Sequence, residues 1–99
     1  MPVRRNAHTA VPRVAFTPNL QRHVSCPPMD VTGTTVREAL ECVFAAQPRL
    51  ERYVLDDGGG LRPHMVVFVD GAAVRDRERL ADPVTDGAEI LVMQALSGG

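Results

Sequence analysis

The sequence contains no lysine; all 11 basic residues are arginine. A guanidinium does not lose its proton in a protein, so no side chain here offers a nucleophilic amine. That leaves an α-amino group as the chain's one amine and makes it a poor acceptor for acyl transfer to itself. Cysteine is scarce. Cys26 and Cys42 are too few for a disulfide scaffold or a four-thiolate iron–sulfur site. Charge of one sign is missing as well: 11 basic residues face 12 acidic ones, for a net charge of −1. That excludes the basic surplus of a nucleic-acid footprint. No apolar run approaches the roughly 18 residues of a membrane helix. Residues 1–10 are polar, carry Arg4 and Arg5, and lack the apolar stretch of a secretion signal. The expectation is a cytoplasmic protein with reduced thiols and no membrane or nucleic-acid partner. At 99 residues, 44% of them hydrophobic and 23% charged, the chain fits one domain with one modest core.

Local signals then divide the chain. Residues 1–10 read as a flexible arm, 11–96 as the folded domain and 97–99 as an exposed tail. Alternation over 11–16, with Val14 and Phe16 on one face, predicts a first strand. Residues 22–31 predict a second, placed at a sheet edge because Pro27-Pro28 cannot donate to a ladder. Thr35-Val36-Arg37-Glu38 fits a capping box, with Thr35 as N-cap and Glu38 reaching back. Val36, Leu40, Val43 and Phe44 follow at helical spacing, and Pro48 stops the run, which predicts a helix over about 36–46. Residues 48–63 read as an irregular connector with a short 49–55 segment and a flexible Asp56-Asp57-Gly58-Gly59-Gly60 tip. Strands are expected at 64–69 and 72–74, joined by Asp70-Gly71, a hairpin signal needing positive φ at both positions. A loop or single turn around Leu80 precedes the last strand, 89–96. One main helix against a mixed sheet of four to five strands is an α+β two-layer arrangement.

Several residues invite a chemical reading and do not sustain it. His23 and Cys26 have ligand spacing, but two ligands do not make a zinc site. Cys42 lies off the apolar stripe of its helix and lacks an activating base. His64, before a strand, reads as a surface residue. Asp56-Asp57 in a glycine-rich tip reads as solvated turn chemistry. Arg75, Arg77 and Arg79 alternate with Asp76 and Glu78, so the run reads as a solvated face. No metal site and no catalytic set is expected.

Four stretches point elsewhere when taken together. They are Gly33-Thr34-Thr35-Val36-Arg37-Glu38-Ala39-Leu40, then Val66-Val67-Phe68-Val69-Asp70-Gly71, then Leu80 with Asp86-Gly87-Ala88-Glu89-Ile90, and the closing Ala95-Leu96-Ser97-Gly98-Gly99. Over residues 11–99 this pattern resembles the ubiquitin-like β-grasp sulfur carriers, the family of the small subunit of molybdopterin synthase and the thiamine-pathway sulfur carrier. The resemblance implies a protein co-substrate, not an enzyme. Its Gly99 carboxylate would be adenylated by a separate E1-like enzyme, which uses ATP and a sulfur donor, and converted to a thiocarboxylate. A sulfur-accepting biosynthetic enzyme would then consume it, in molybdopterin, thiamine or related biosynthesis. No bound cofactor is implied. Two alternatives use the same features: a modifier conjugated through Gly99, and a β-grasp interaction domain whose tail has no role.

Residue chemistry agrees with the carrier expectation. Gly99 has no Cβ to crowd a reacting carbonyl. Gly98 reaches backbone angles closed to other residues, which lets a tail that includes Ser97 thread a narrow channel. The strands carry a second signal, since residues 66–69 and 90–96 are apolar on both faces, and one helix covers one face only. The ubiquitin-like pattern implies that Val67, Val69, Ile90 and Val92 point inward. Phe68, Leu91 and Met93 are then left on an open face, the expected partner surface. The bland alternative is that the 48–63 connector, with Tyr53, folds over that face.

Overall fold

The computed structural model describes residues 11–17 and 26–95. In chain order the elements are β1 (Arg13–Phe16), β2 (Met29–Asp30), α1 (Val36–Ala46), α2 (Pro48–Val54), β3 (Met65–Val69), β4 (Ala72–Ala73) and β5 (Glu89–Gln94). The strands form one sheet in the order β2-β1-β5-β3-β4. The central pair β1–β5 is parallel and the other three pairs are antiparallel. The architecture is the expected α+β one, a mixed sheet with its main helix where the periodicity placed it. The arm at 1–10, residues 18–25 (with His23) and the tail at 97–99 lie outside the described residues.

Helix α1 forms because its start satisfies its own backbone. The Glu38 N–H donates to Thr35 Oγ1 at 3.2 Å. The free N–H groups of Val36 and Arg37 donate to the Asp82 and Leu80 carbonyls at 3.0 and 2.9 Å, so the loop before β5 serves as a second cap. The Glu38 carboxylate reaches back one residue further than expected, accepting from the Thr34 N–H at 2.7 Å. Gly33 makes this approach possible: at φ +141 its missing Cβ would stand 2.7 Å from Glu38 Cβ, closer than any side chain tolerates.

The buried stripe of α1 is Val36, Ala39, Leu40, Val43 and Phe44. It packs with Val14 and Phe16 of β1, Met65 and Val67 of β3, and Ile90 and Val92 of β5 in one apolar core. No polar or charged residue is buried among the described residues. The Asp70-Gly71 turn has φ 51 and 87, as its sequence required.

The structure corrects the reading in three places. Residues 48–54 are a helix, not irregular chain: Pro48 starts it at a position where a missing N–H costs nothing, and Leu50 and Val54 are buried. The 56–60 tip is tied down, because Asp56 Oδ1 accepts from the Gly58 and Gly60 N–H groups at 2.9 and 3.1 Å. The second strand shrinks to Met29–Asp30, since Pro27-Pro28 stops the ladder from extending backward.

Candidate functional site

β5 ends where the site begins. It is the middle strand of the sheet, held by β1 on one side and β3 on the other. Its last described anchor is the Ala95 N–H, which donates to the His64 carbonyl at 2.8 Å. Ser97, Gly98 and Gly99 follow from that anchor and lie outside the described residues.

Pairing register decides what stands beside the anchor. Ala15 pairs with Leu91, Leu91 with Phe68, and Phe68 with Ala73. Val66 pairs with Met93 in the same ladder. Side chains alternate along a strand, so these six share the sheet face turned away from Val14, Val67, Ile90 and Val92, which are fully buried. Val69 points inward but is only partly covered. Leu91, at the middle of the open face, is 37% exposed, and Phe68, Met93 and Val66 are half-buried. The connector does not cover this face. Its helix α2 instead turns Leu50 and Val54 into the shared core, leaving Tyr53 37% exposed.

The apolar strip has two unlike ends. Away from the tail, the Asp70 carboxylate accepts from the Glu89 N–H at 2.9 Å, and Arg13 faces Asp30 at 3.8 Å. At the tail end stand exposed His64 and half-buried Ala95. The sequence reading missed Ala15 and Val66 as members of the strip; their alternation with Val14 and Val67 was the available signal. The His64–Ala95 anchor carried no local signal, because it depends on the β3–β5 register.

The remaining candidates have structural roles. Arg37 Nε donates to the Arg79 carbonyl at 2.7 Å, and its Nη2 bonds the Gly59 carbonyl. Arg77 Nη2 donates to the Arg62 and Met65 carbonyls, both at 2.8 Å, so this member of the mixed-charge run is a brace and not part of a solvated face. Asp76 caps its own loop, accepting from the Arg79 N–H at 2.9 Å and the Glu78 N–H at 3.2 Å. The bond from Arg79 is the main cause that holds its carboxyl below the usual range, with desolvation opposing it and the Ala81 and Glu78 N–H groups adding to it. Cys26 is buried, which pushes its thiol pKa up. Cys42 is half-buried, with its thiol donating to the Thr32 carbonyl at 3.3 Å. Among the described residues no group of three or more His, Cys, Asp or Glu could hold a metal ion. No described helix is long and apolar enough to cross a membrane.

A mixed sheet with a parallel central pair, gripping one main helix and delivering the chain's last residues from its middle strand, defines a ubiquitin-like β-grasp protein. Residues 27–99 match the model of the ThiS family. The chain belongs to that family, the β-grasp sulfur carriers. No curated protein matches the sequence significantly. Among solved structures, it is similar to SAMP1 from Haloferax volcanii, with 28% identity over 89% of this chain and 98% of that one and a TM-score of 0.72. It is also similar in fold to the chain matched in the BexX/CysO complex of Amycolatopsis orientalis, with 22% identity over 90% and 100% of the two chains and a TM-score of 0.76. Mycobacterium tuberculosis CysO is similar at 19% identity over 86% and 99%, with a TM-score of 0.73. The expected class of small carrier protein therefore stands.

Proposed function

We propose that the chain carries sulfur on the Gly99 carboxyl as a thiocarboxylate. The observation that carries this reading is the family match, which runs from residue 27 through Gly99 and so includes the Gly98-Gly99 pair. A carboxylate is a poor electrophile. The first step joins its oxygen to the α-phosphorus of ATP, giving a Gly99 acyl-adenylate and releasing pyrophosphate. Sulfide then attacks the acyl carbon; a C–S bond forms, the C–O bond to the phosphate breaks, and AMP leaves with the electron pair. Loss of the sulfide proton leaves the thiocarboxylate. An E1-like adenylating enzyme performs these steps, and a biosynthetic enzyme accepts the sulfur.

Leu91, Phe68 and Met93 form the surface on which those enzymes dock. Burying a strip of this kind offsets the cost of ordering the tail residues, about 1–2 kcal/mol each. Four residues follow Ala95, and fully extended they reach about 13–14 Å, so a partner seated on the strip has the terminal carboxyl within a domain radius. The chain's own role is to present and position the carboxyl.

The 28% identity to SAMP1, and the name small archaeal modifier protein 1 borne by a neighbour at 27%, favour a second reading. In it the same adenylate is attacked by an amine of another protein. One experiment separates the readings. The adenylating enzyme from the same cells is given ATP, sulfide and either the full chain or a chain lacking Gly99. Carrier chemistry predicts AMP release and a thiocarboxylate with the full chain only. Conjugation predicts Gly99-dependent high-mass adducts in cell extract. AMP release unchanged by the truncation would refute both.

A further inference from the structure

We infer that Arg77 is a positioning residue for the tail: through the turn at 62–65 it fixes the point from which the Gly99 carboxyl is delivered. The inference deepens the proposed function and rests on it, because it concerns how that same carboxyl is presented.

Successive carbonyls of a strand point to opposite edges. On the outer edge of β3, β4 pairs Ala72 and Ala73 with Val69 and Phe68. One more rung follows, the Val74 N–H donating to the Val67 carbonyl at 2.9 Å. The next outward carbonyl is that of Met65, where β4 has already left the ladder. The Arg77 side chain takes the missing strand's place. Its Nη2 donates to the Met65 and Arg62 carbonyls, both at 2.8 Å. The Met65 N–H donates to the same Arg62 carbonyl at 2.9 Å, so one guanidinium holds both ends of the turn. The Arg77 main chain adds a third tie, its carbonyl accepting from the Leu61 N–H at 2.8 Å.

The inner edge of this clamped turn holds the tail. The His64 carbonyl accepts from the Ala95 N–H at 2.8 Å, and four residues follow Ala95. In the antiparallel register, Met65 faces Gln94 and Val66 faces Met93. Hydrogen-bonded pairs alternate, so the rung behind His64–Ala95 is Val66–Met93. If the His64 rung opens, six residues leave the sheet and their reach rises to about 20–22 Å. Lengthening the free tail from four residues to six lowers the effective concentration of its end by about twofold. Loss of a fixed direction adds the larger cost of a misplaced reacting group. Leu91, Phe68 and Met93 stay in place, so docking strength is expected to survive while the rate of the chemistry falls.

The test compares Arg77→Met, which keeps an apolar stem and removes the donors, with the native chain. Gly33→Ala, which weakens the start of α1 without touching the turn, controls for general loss of stability. Amide hydrogen exchange of the isolated chain reads the anchor. In Arg77→Met the Ala95 amide should exchange on the order of tenfold faster relative to the Leu91 amide; Gly33→Ala should not raise that ratio. Steady-state AMP release by the adenylating enzyme, with ATP and sulfide and the chain as the varied substrate, reads the chemistry. For Arg77→Met, kcat should fall about fivefold or more with KM within about twofold of native, and folded Gly33→Ala should keep the native values. Arg77→Lys, which keeps charged donors on a different stem, should lie between native and methionine in both readouts, and it carries the test if the methionine variant does not fold. An unchanged exchange ratio, an unchanged kcat where the ratio has risen, or an equal loss of kcat in Gly33→Ala would overturn the inference while leaving the proposed function standing. A native chain that yields no AMP would overturn the proposed function, and this role of Arg77 with it.

Discussion

At the scale of single residues, two positions carry consequences that composition hides. Gly33 is required by space as well as by angle, since a methyl group there meets Glu38 Cβ at 2.7 Å. Gly33→Ala should therefore push the 33–35 entry off the helix start and cost about 1–3 kcal/mol, read as a lower urea midpoint with unchanged slope. Asp76 ties stability to pH. Its folded-state carboxyl is held below the ordinary value by the Arg79, Ala81 and Glu78 N–H groups, so the unfolded chain binds the proton more tightly. This contribution is complete above the ordinary carboxylate pKa of about 4 and is lost as pH falls through the lowered folded value. The stability gap between the native chain and Asp76→Ala should be widest at neutral pH and close in acid, which thermal melts across that range would record.

At the scale of elements, the arginines act as braces. Arg37 leaves α1 to hold the carbonyls of Gly59 and Arg79, so one side chain links the helix to two loops. Arg37→Met keeps the apolar stem and removes the donors. It should cost about 1–2 kcal/mol and speed hydrogen exchange in residues 56–61 and 76–82, while α1 itself stays protected. Much of this level was legible in advance. The capped stripe from Val36 to Phe44 and the Asp70-Gly71 hairpin follow from periodicity and turn chemistry, which are local. The inward set Val67, Val69, Ile90 and Val92 comes from the family resemblance, since strands apolar on both faces do not declare which face is buried. What escaped depends on distant contacts. Helix α2 spans only seven residues, Pro48–Val54, too short for periodicity to declare; its burial against α1 stabilises it. The two-residue strands β2 and β4 are set by their partners. Arg77 looked like part of a solvated run because the carbonyls it bonds, Arg62 and Met65, lie on another stretch of chain.

At the scale of the whole molecule, the sheet has two faces with different duties. One face and α1 make a dry core that holds the body rigid. The other keeps Leu91 exposed between Ala15 and Phe68, in the ladder that ends at the tail. Leu91→Asp should leave the melting temperature nearly unchanged, because the side chain already meets water. It should cut transfer by the adenylating enzyme by about tenfold or more, as loss of a central contact in an interface does. The most direct test of the account is intact-protein mass spectrometry, with fragmentation, after incubation with the adenylating enzyme, ATP and sulfide. The account predicts a gain of one sulfur for one oxygen, placed by the fragments on Gly99, and no gain in the chain lacking that residue. An unchanged mass for the full chain under conditions that release AMP, or a sulfur mapped to Cys42, would contradict it.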